Sequence, residues 1–152
     1  MAGAPYKKGL NYFSHDTVLS NDIKIEYLEA ETGLIGYAIY LKLLELIYRD
    51  EGYYIKFDHK HKKLFAKRVN IVLEKLDKII DVCLEEDLFN QNLFNKYNIL
   101  TSKSIQKRYL RGCDRRNSIN VIKEFFLLDN NSINDNSNPN NVNIYSITEG
   151  IN

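Results

Sequence analysis

The feature that most constrains the fold is the stretch from Leu34 to Arg49. Leu34, Ile35, Tyr37, Ala38, Ile39, Leu41, Leu43, Leu44, Leu46, Ile47 and Tyr48 leave charge only at Lys42, Glu45 and Arg49. Those three positions are spaced by three and four residues, so one helix gathers them on a single narrow face. A helix apolar around most of its girth is central to a core or lies in a subunit interface. The fold must therefore be built around this segment.

The flanking sequence reads as shorter elements. Residues 1–19 form an N-terminal arm with aromatic anchors at Tyr12 and Phe13. Ser20 is the expected N-cap of a helix over 21–31, with Asp22 and Glu26 placed early, where the helix dipole favours acids; Gly33 stops it. Gly52 ends the long helix, and Tyr53–Phe57 has strand composition. Asp58 caps a helix to about Arg68, with Leu64, Phe65 and Val69 inward. Asn70 caps the next, over 71–86, where Val72, Leu76, Ile79, Ile80 and Cys83 recur with helical period. Residues 88–90 and 98–100 suit two short paired strands. Thr101 or Ser102 then caps a basic helix.

This order predicts a mainly α chain with a small β-sheet (α+β), namely a winged helix-turn-helix domain over 20–116 that carries an extra C-terminal basic helix. Residues 117–152 read as an Asn-rich C-terminal tail or a loose β-hairpin, because 129–152 offers little apolar surface to offset the entropy of ordering.

Charge sharpens the functional expectation. The formal net charge is only +1, yet residues 96–116 sum to +6 and residues 56–68 to +5, with acidic blocks around them. Lys103, Lys107, Arg108, Arg111, Arg115 and Arg116 form the first basic group. Lys60, Lys62, Lys63, Lys67 and Arg68 form the second. Long cations recurring along a helix suit DNA phosphates, which fix position but carry no base sequence. A solvated helix face is the plainer alternative for each block. The helix over 71–86, in the position that reads bases in a winged helix, is net acidic, so backbone contacts are expected instead.

Other chemistries find little support. His59 and His61 are two residues apart, which on a helix points them to different sides, so no metal and no cofactor is expected. Ser14, His15 and Asp16 are triad types, but sequence neighbours cannot converge on one nucleophile, and no phosphate-binding glycine loop occurs. An enzyme is not expected. Cys83 and Cys113 match no metal or redox spacing. No apolar run is long enough to span a membrane, and the first residues lead into no signal-like apolar stretch, so a cytoplasmic location is expected.

Several strings together resemble a known family. They are Lys8–Asp16, Gly33–Glu45, Leu64–Arg68, Leu88–Asn90 with Leu93 and Phe94, and Ile99–Tyr109, in that order. Over roughly residues 8–116 the chain is similar to the Lin-type N-terminal domain family of phage and prophage proteins. That family is related to phage replisome organisers and to the N-terminal winged helix of the DnaD primosome protein. The resemblance implies a non-catalytic winged helix in bacterial or phage-infected cytoplasm, associated with replication initiation, with self-association and replication-initiation proteins as partners. Fuller members carry a second domain for which no room is expected before Asn152. An oligomerising interaction module without nucleic-acid contact is the alternative, and a transcriptional repressor a third reading.

Overall fold

The computed structural model describes residues 7–129 and 141–147. Six helices and two small sheets follow one another as α1 (Ile23–Thr32), α2 (Leu34–Arg49), β1 (Ile55–Lys56), α3 (His59–Val69), α4 (Leu73–Glu85), α5 (Gln91–Tyr97), β2 (Ile99–Leu100), α6 (Lys103–Gly112), β3 (Ser118–Ile122) and β4 (Asn141–Tyr145). The chain is therefore mainly helical with small sheets.

Helix α2 takes the central place its composition demands. Ile39, Tyr40, Leu43, Leu44, Ile47 and Tyr48 are buried, against α1 and α4 among others. Its first turn differs, since Leu34 is 73% exposed and Ile35 also reaches solvent. Gly33 divides α1 from α2 at φ 79°, a backbone region glycine enters without a Cβ clash.

Helix starts were only partly foreseen, because backbone turns compete for the capping residues. Leu19–Asn21 forms a 3-10 turn that absorbs Ser20, so the cap of α1 is Asp22, whose carboxylate accepts the Lys24 N–H at 2.9 Å. Asn70 does not cap α4; it closes α3 in the left-handed region at φ 57°, which asparagine tolerates, and Val72 stands at the start of α4. With α4 starting later, Val72 is 70% exposed instead of inward. In α3 the buried residues are Phe65 and Ala66, which turns Leu64 outward at 51% exposure. Asp58 and Ser102 do cap α3 and α6, accepting the His61 and Ile105 N–H groups at 3.0 and 3.2 Å.

The first sheet also differs from expectation. Residues 88–90 form no strand, because Asp87 turns at φ 57° and Asn90 already caps α5 by accepting the Leu93 N–H. The partner of β2 is β1, antiparallel, with Ile55 opposite Leu100 and Lys56 opposite Ile99. The expected strand over 53–57 shrinks to two residues. The Tyr53 carbonyl instead accepts the buried Thr101 hydroxyl at 2.5 Å.

Strands β3 and β4 pair parallel, from Ser118 opposite Asn141 to Ile122 opposite Tyr145, which replaces the hairpin reading. Parallel pairing needs a long connection, and the residues between these strands supply it. The Asn-rich residues 130–140 lie outside the described residues, as do 1–6 and 148–152. Ile119, Val121 and Phe125 are buried, so the packed core continues past residue 116. Gln106 ties this segment to α6. Its buried amide donates to Thr101 Oγ1 at 3.0 Å and to the Phe125 carbonyl at 2.8 Å, and its oxygen accepts the Leu127 N–H at 2.8 Å. A buried amide with its donors and acceptor paired costs little, whereas a missing partner would cost about 1–3 kcal/mol.

Candidate nucleic-acid interface

Helix α6 places its apolar stripe inward through Ile105, Tyr109 and Leu110, all buried. The opposite face presents Lys103, Lys107 and Arg111, each exposed and four residues from the next. Four residues slightly exceed one helical turn, so the three cations rise along one side about 6 Å apart. That is close to the spacing of phosphates along one DNA strand. None of the three has an ion-pair partner among the described residues. Exposed Arg115 follows in the turn after α6.

The remaining cations of this block serve the fold. Arg108 is half-buried, and its Nη1 donates to the Tyr48 hydroxyl at 3.0 Å. Burial raises the Tyr48 phenol above its ordinary range, and the Arg108 guanidinium opposes that rise. Arg116, expected on the helix, lies beyond its end at Gly112. Its Nη1 donates to the carbonyls of Lys7 and Lys8 at 2.6 and 3.1 Å, and its Nη2 to that of Gly9 at 2.6 Å. One guanidinium thus holds three successive carbonyls of the N-terminal arm.

The arm is fastened at further points. The Tyr109 hydroxyl donates to the Lys8 carbonyl at 2.8 Å, and the Leu10 N–H donates to the Tyr48 carbonyl at 2.6 Å. Gly9 lies directly on the Arg49 carbonyl, where a Cβ would collide with the oxygen. Phe13 stacks on Tyr48 with ring centroids 4.5 Å apart, as an anchor should. Tyr12 does not anchor anything; its side chain stands in solvent at 87% exposure.

On α3, Lys60, Lys63, Lys67 and Arg68 are exposed. Lys62 is turned to α4, where its Nζ meets Asp77 Oδ1 at 2.7 Å. That pair fastens α3 to α4 and removes Lys62 from the outer cation set. At the start of α3, the backbone N–H and ring of His61 hold the Asp58 carboxyl below its usual range.

Sequence reasoning missed a contribution from α2. Lys42, Glu45 and Arg49 share a groove with Arg68 of α3, and Glu45 with Arg49 also lines a groove with Tyr12 and Phe13 of the arm. The charged stripe of the central helix therefore lies between Arg68 of α3 and the N-terminal arm. The signal was present in the three-and-four spacing of those charges, but it did not reveal what would lie on either side.

Helix α4 has the opposite character. Glu74, Asp81 and Glu85 are exposed along it, and Asp87 follows. The Tyr27 phenol on α1 is raised first by Glu31 of its own helix and then by slight burial, with Glu85 and Glu86 adding less. Such a face repels phosphates. Both thiols are buried and free, and burial alone pushes Cys83 up to about 12, which leaves it unreactive at neutral pH. Among the described residues no helix is long and apolar enough to cross a membrane.

Comparison with known proteins places this geometry in a lineage. The model of the family described as Lin1244/Lin1753-like, N-terminal, matches residues 12–105, which reach from the arm into the first turn of α6. The uncharacterized phage-related protein Lin1244/Lin1753 of Listeria innocua serovar 6a is 39% identical over 125 residues, covering 82% of this chain. The chain spans 41% of that relative's length. No solved structure matches.

Proposed function

The chain belongs to the Lin1244/Lin1753-like N-terminal family, and from that premise we propose that it is a non-catalytic, DNA-binding accessory of phage or mobile-element replication initiation. In this reading the domain is a winged helix akin to phage replisome organisers and the DnaD N-terminal domain. It works in the cytoplasm of a bacterial or infected cell, with replication-initiation proteins and further copies of itself as partners. The element order and the phage-related relative support the lineage. The observation that carries DNA binding is the exposed row Lys103, Lys107 and Arg111 on α6, followed by Arg115.

Binding is directed at the backbone. The row neutralises phosphates, and Lys60, Lys63, Lys67 and Arg68 of α3 add a second contact. Acidic α4 stays off the DNA, so base reading by that helix has no part in the mechanism. Fluorescence anisotropy with labelled duplex and single-stranded DNA tests the reading. Wild-type protein binds at low salt, and Lys107→Glu with Arg111→Glu lowers affinity on the order of 100-fold while the protein stays folded. Retained affinity in the folded double variant overturns it.

One observation favours a second reading as an assembly module. Ile23 and Tyr27 of α1, with Leu34 and Ile35 at the start of α2, are exposed apolar side chains of the kind that subunit contacts cover. Light scattering at tens of micromolar tests it: a monomer there contradicts an obligate oligomer.

A further inference from the structure

Tyr12 is the most exposed of the large apolar side chains among the described residues, at 87%, yet its backbone is held on both sides. On one side the Leu10 N–H is bonded to Tyr48 and Arg116 grips the carbonyls of residues 7–9. On the other, Phe13 is stacked on Tyr48. The ring is thus presented to water from a fixed support and contributes little to the core.

Its surroundings combine apolar, polar and charged side chains. Tyr12 lines a groove with Asn11, Glu45 and Arg49, and Arg49 continues into the groove that Arg68 shares. Glu45 lies between Lys42 and Arg49 on α2, three and four residues away, and Arg49 also meets Asp50 at 3.5 Å, which leaves exposed Lys42 and Arg68 as the cations of these grooves without an ion pair among the described residues. Helix α6 borders the same arm, because Tyr109 bonds the Lys8 carbonyl and Arg108 bonds Tyr48 beneath Phe13. An accessible aromatic ring on a rigid segment beside long cations is the arrangement that holds unpaired bases: the ring stacks a base while the cations hold the backbone. Duplex DNA keeps its bases stacked on one another and offers such a ring nothing.

We propose that Tyr12 is a base-stacking residue and that the groove between the N-terminal arm and α2 is a binding site for single-stranded nucleic acid. The inference rests on the DNA-binding reading above and deepens it, by making single strands the preferred ligand. Stacking on one base makes a contribution that alanine substitution reads as roughly a tenfold loss of affinity or more.

The test is anisotropy of the full chain with a labelled oligo-dT and with a duplex of equal length. Tyr12→Ala weakens the single-strand complex about tenfold and leaves the duplex complex unchanged, while Tyr12→Phe retains wild-type affinity for both. The side chain is exposed, so thermal melting of all three proteins coincides. Tyr12→Trp supplies an independent signature, since the chain has no tryptophan: its fluorescence is quenched by oligo-dT and not by duplex. Equal binding of both ligands by wild-type and Tyr12→Ala overturns the stacking site and leaves the DNA reading standing, directing attention to a protein ligand for this ring. Failure of the wild-type protein to bind either ligand overturns both.

Discussion

Helices α3 and α6 look alike as sequence and differ as structure. Each carries a dense run of lysine and arginine with few acids. On α6, Lys103, Lys107 and Arg111 form a bare row, while the cations beside and beyond it, Arg108 and Arg116, secure Tyr48 and the N-terminal arm. On α3 the exposed set is interrupted, because Lys62 is bound to Asp77 of α4. A cation that holds the fold and a cation left bare in solvent are the same letter in a sequence. Partners distinguish them, and partners come from distant segments.

That contrast is open to direct attack. The largest expected effect is on the bare row: Lys107→Glu with Arg111→Glu lowers duplex affinity on the order of 100-fold at low salt without moving the melting temperature. Arg116→Met should do the reverse. It removes three charge-assisted bonds to backbone carbonyls, destabilises the protein by about 2 kcal/mol in urea unfolding, and leaves the salt dependence of DNA binding unaltered. A loss of DNA affinity in a folded Arg116→Met protein with no loss of stability would erase the distinction drawn here.

Smaller effects sharpen the same comparison on α3. Lys62→Met loses an ion pair whose ends are 21% and 49% exposed, so the change in stability stays under about 1 kcal/mol and DNA affinity holds. Asp58 gives a pH signature. Its folded carboxyl is held below the ordinary range by bonds from His61, so its contribution is complete above the unfolded value and fades as pH falls through the folded one. Asp58→Asn keeps an acceptor for the cap, so it should leave stability at pH 7 nearly intact and flatten the loss below about pH 4. Parallel acid limbs for the two proteins would contradict the cap's role.

Much of the helical frame was legible because it is local. The apolar run of α2, the stop at Gly33, the Asp58 cap and the Ser102 cap depend on residues within one or two turns. The misplaced features are those settled at a distance or between competing turns. Ser20 was absorbed by a 3-10 turn, Asn70 took the end of α3 instead of the start of α4, and β2 found β1 more than forty residues away instead of residues 88–90. The parallel pairing of β3 joins segments on either side of the Asn-rich stretch, so it too is settled at a distance.

The site follows the same division. The spacing of Lys103, Lys107 and Arg111 is legible in the sequence, whereas the bonds of Arg116 to the arm, of Arg108 to Tyr48 and of Lys62 to Asp77 have no local sign. Tyr12 was read with Phe13 as an anchor, and only Phe13 is one. Two adjacent aromatics point to different sides of an extended segment, so one could pack while the other could not. Helix α6 also runs beyond the family match, which ends at Ile105.

The most direct test of the central claim is the slope of log affinity for duplex DNA against log salt. Four phosphates neutralised by Lys103, Lys107, Arg111 and Arg115 contribute roughly −3.6 to that slope, so replacing both Lys107 and Arg111 by glutamine makes it shallower by about 1.8. A wild-type slope near zero, or one that the double substitution leaves unchanged, would contradict phosphate binding by α6.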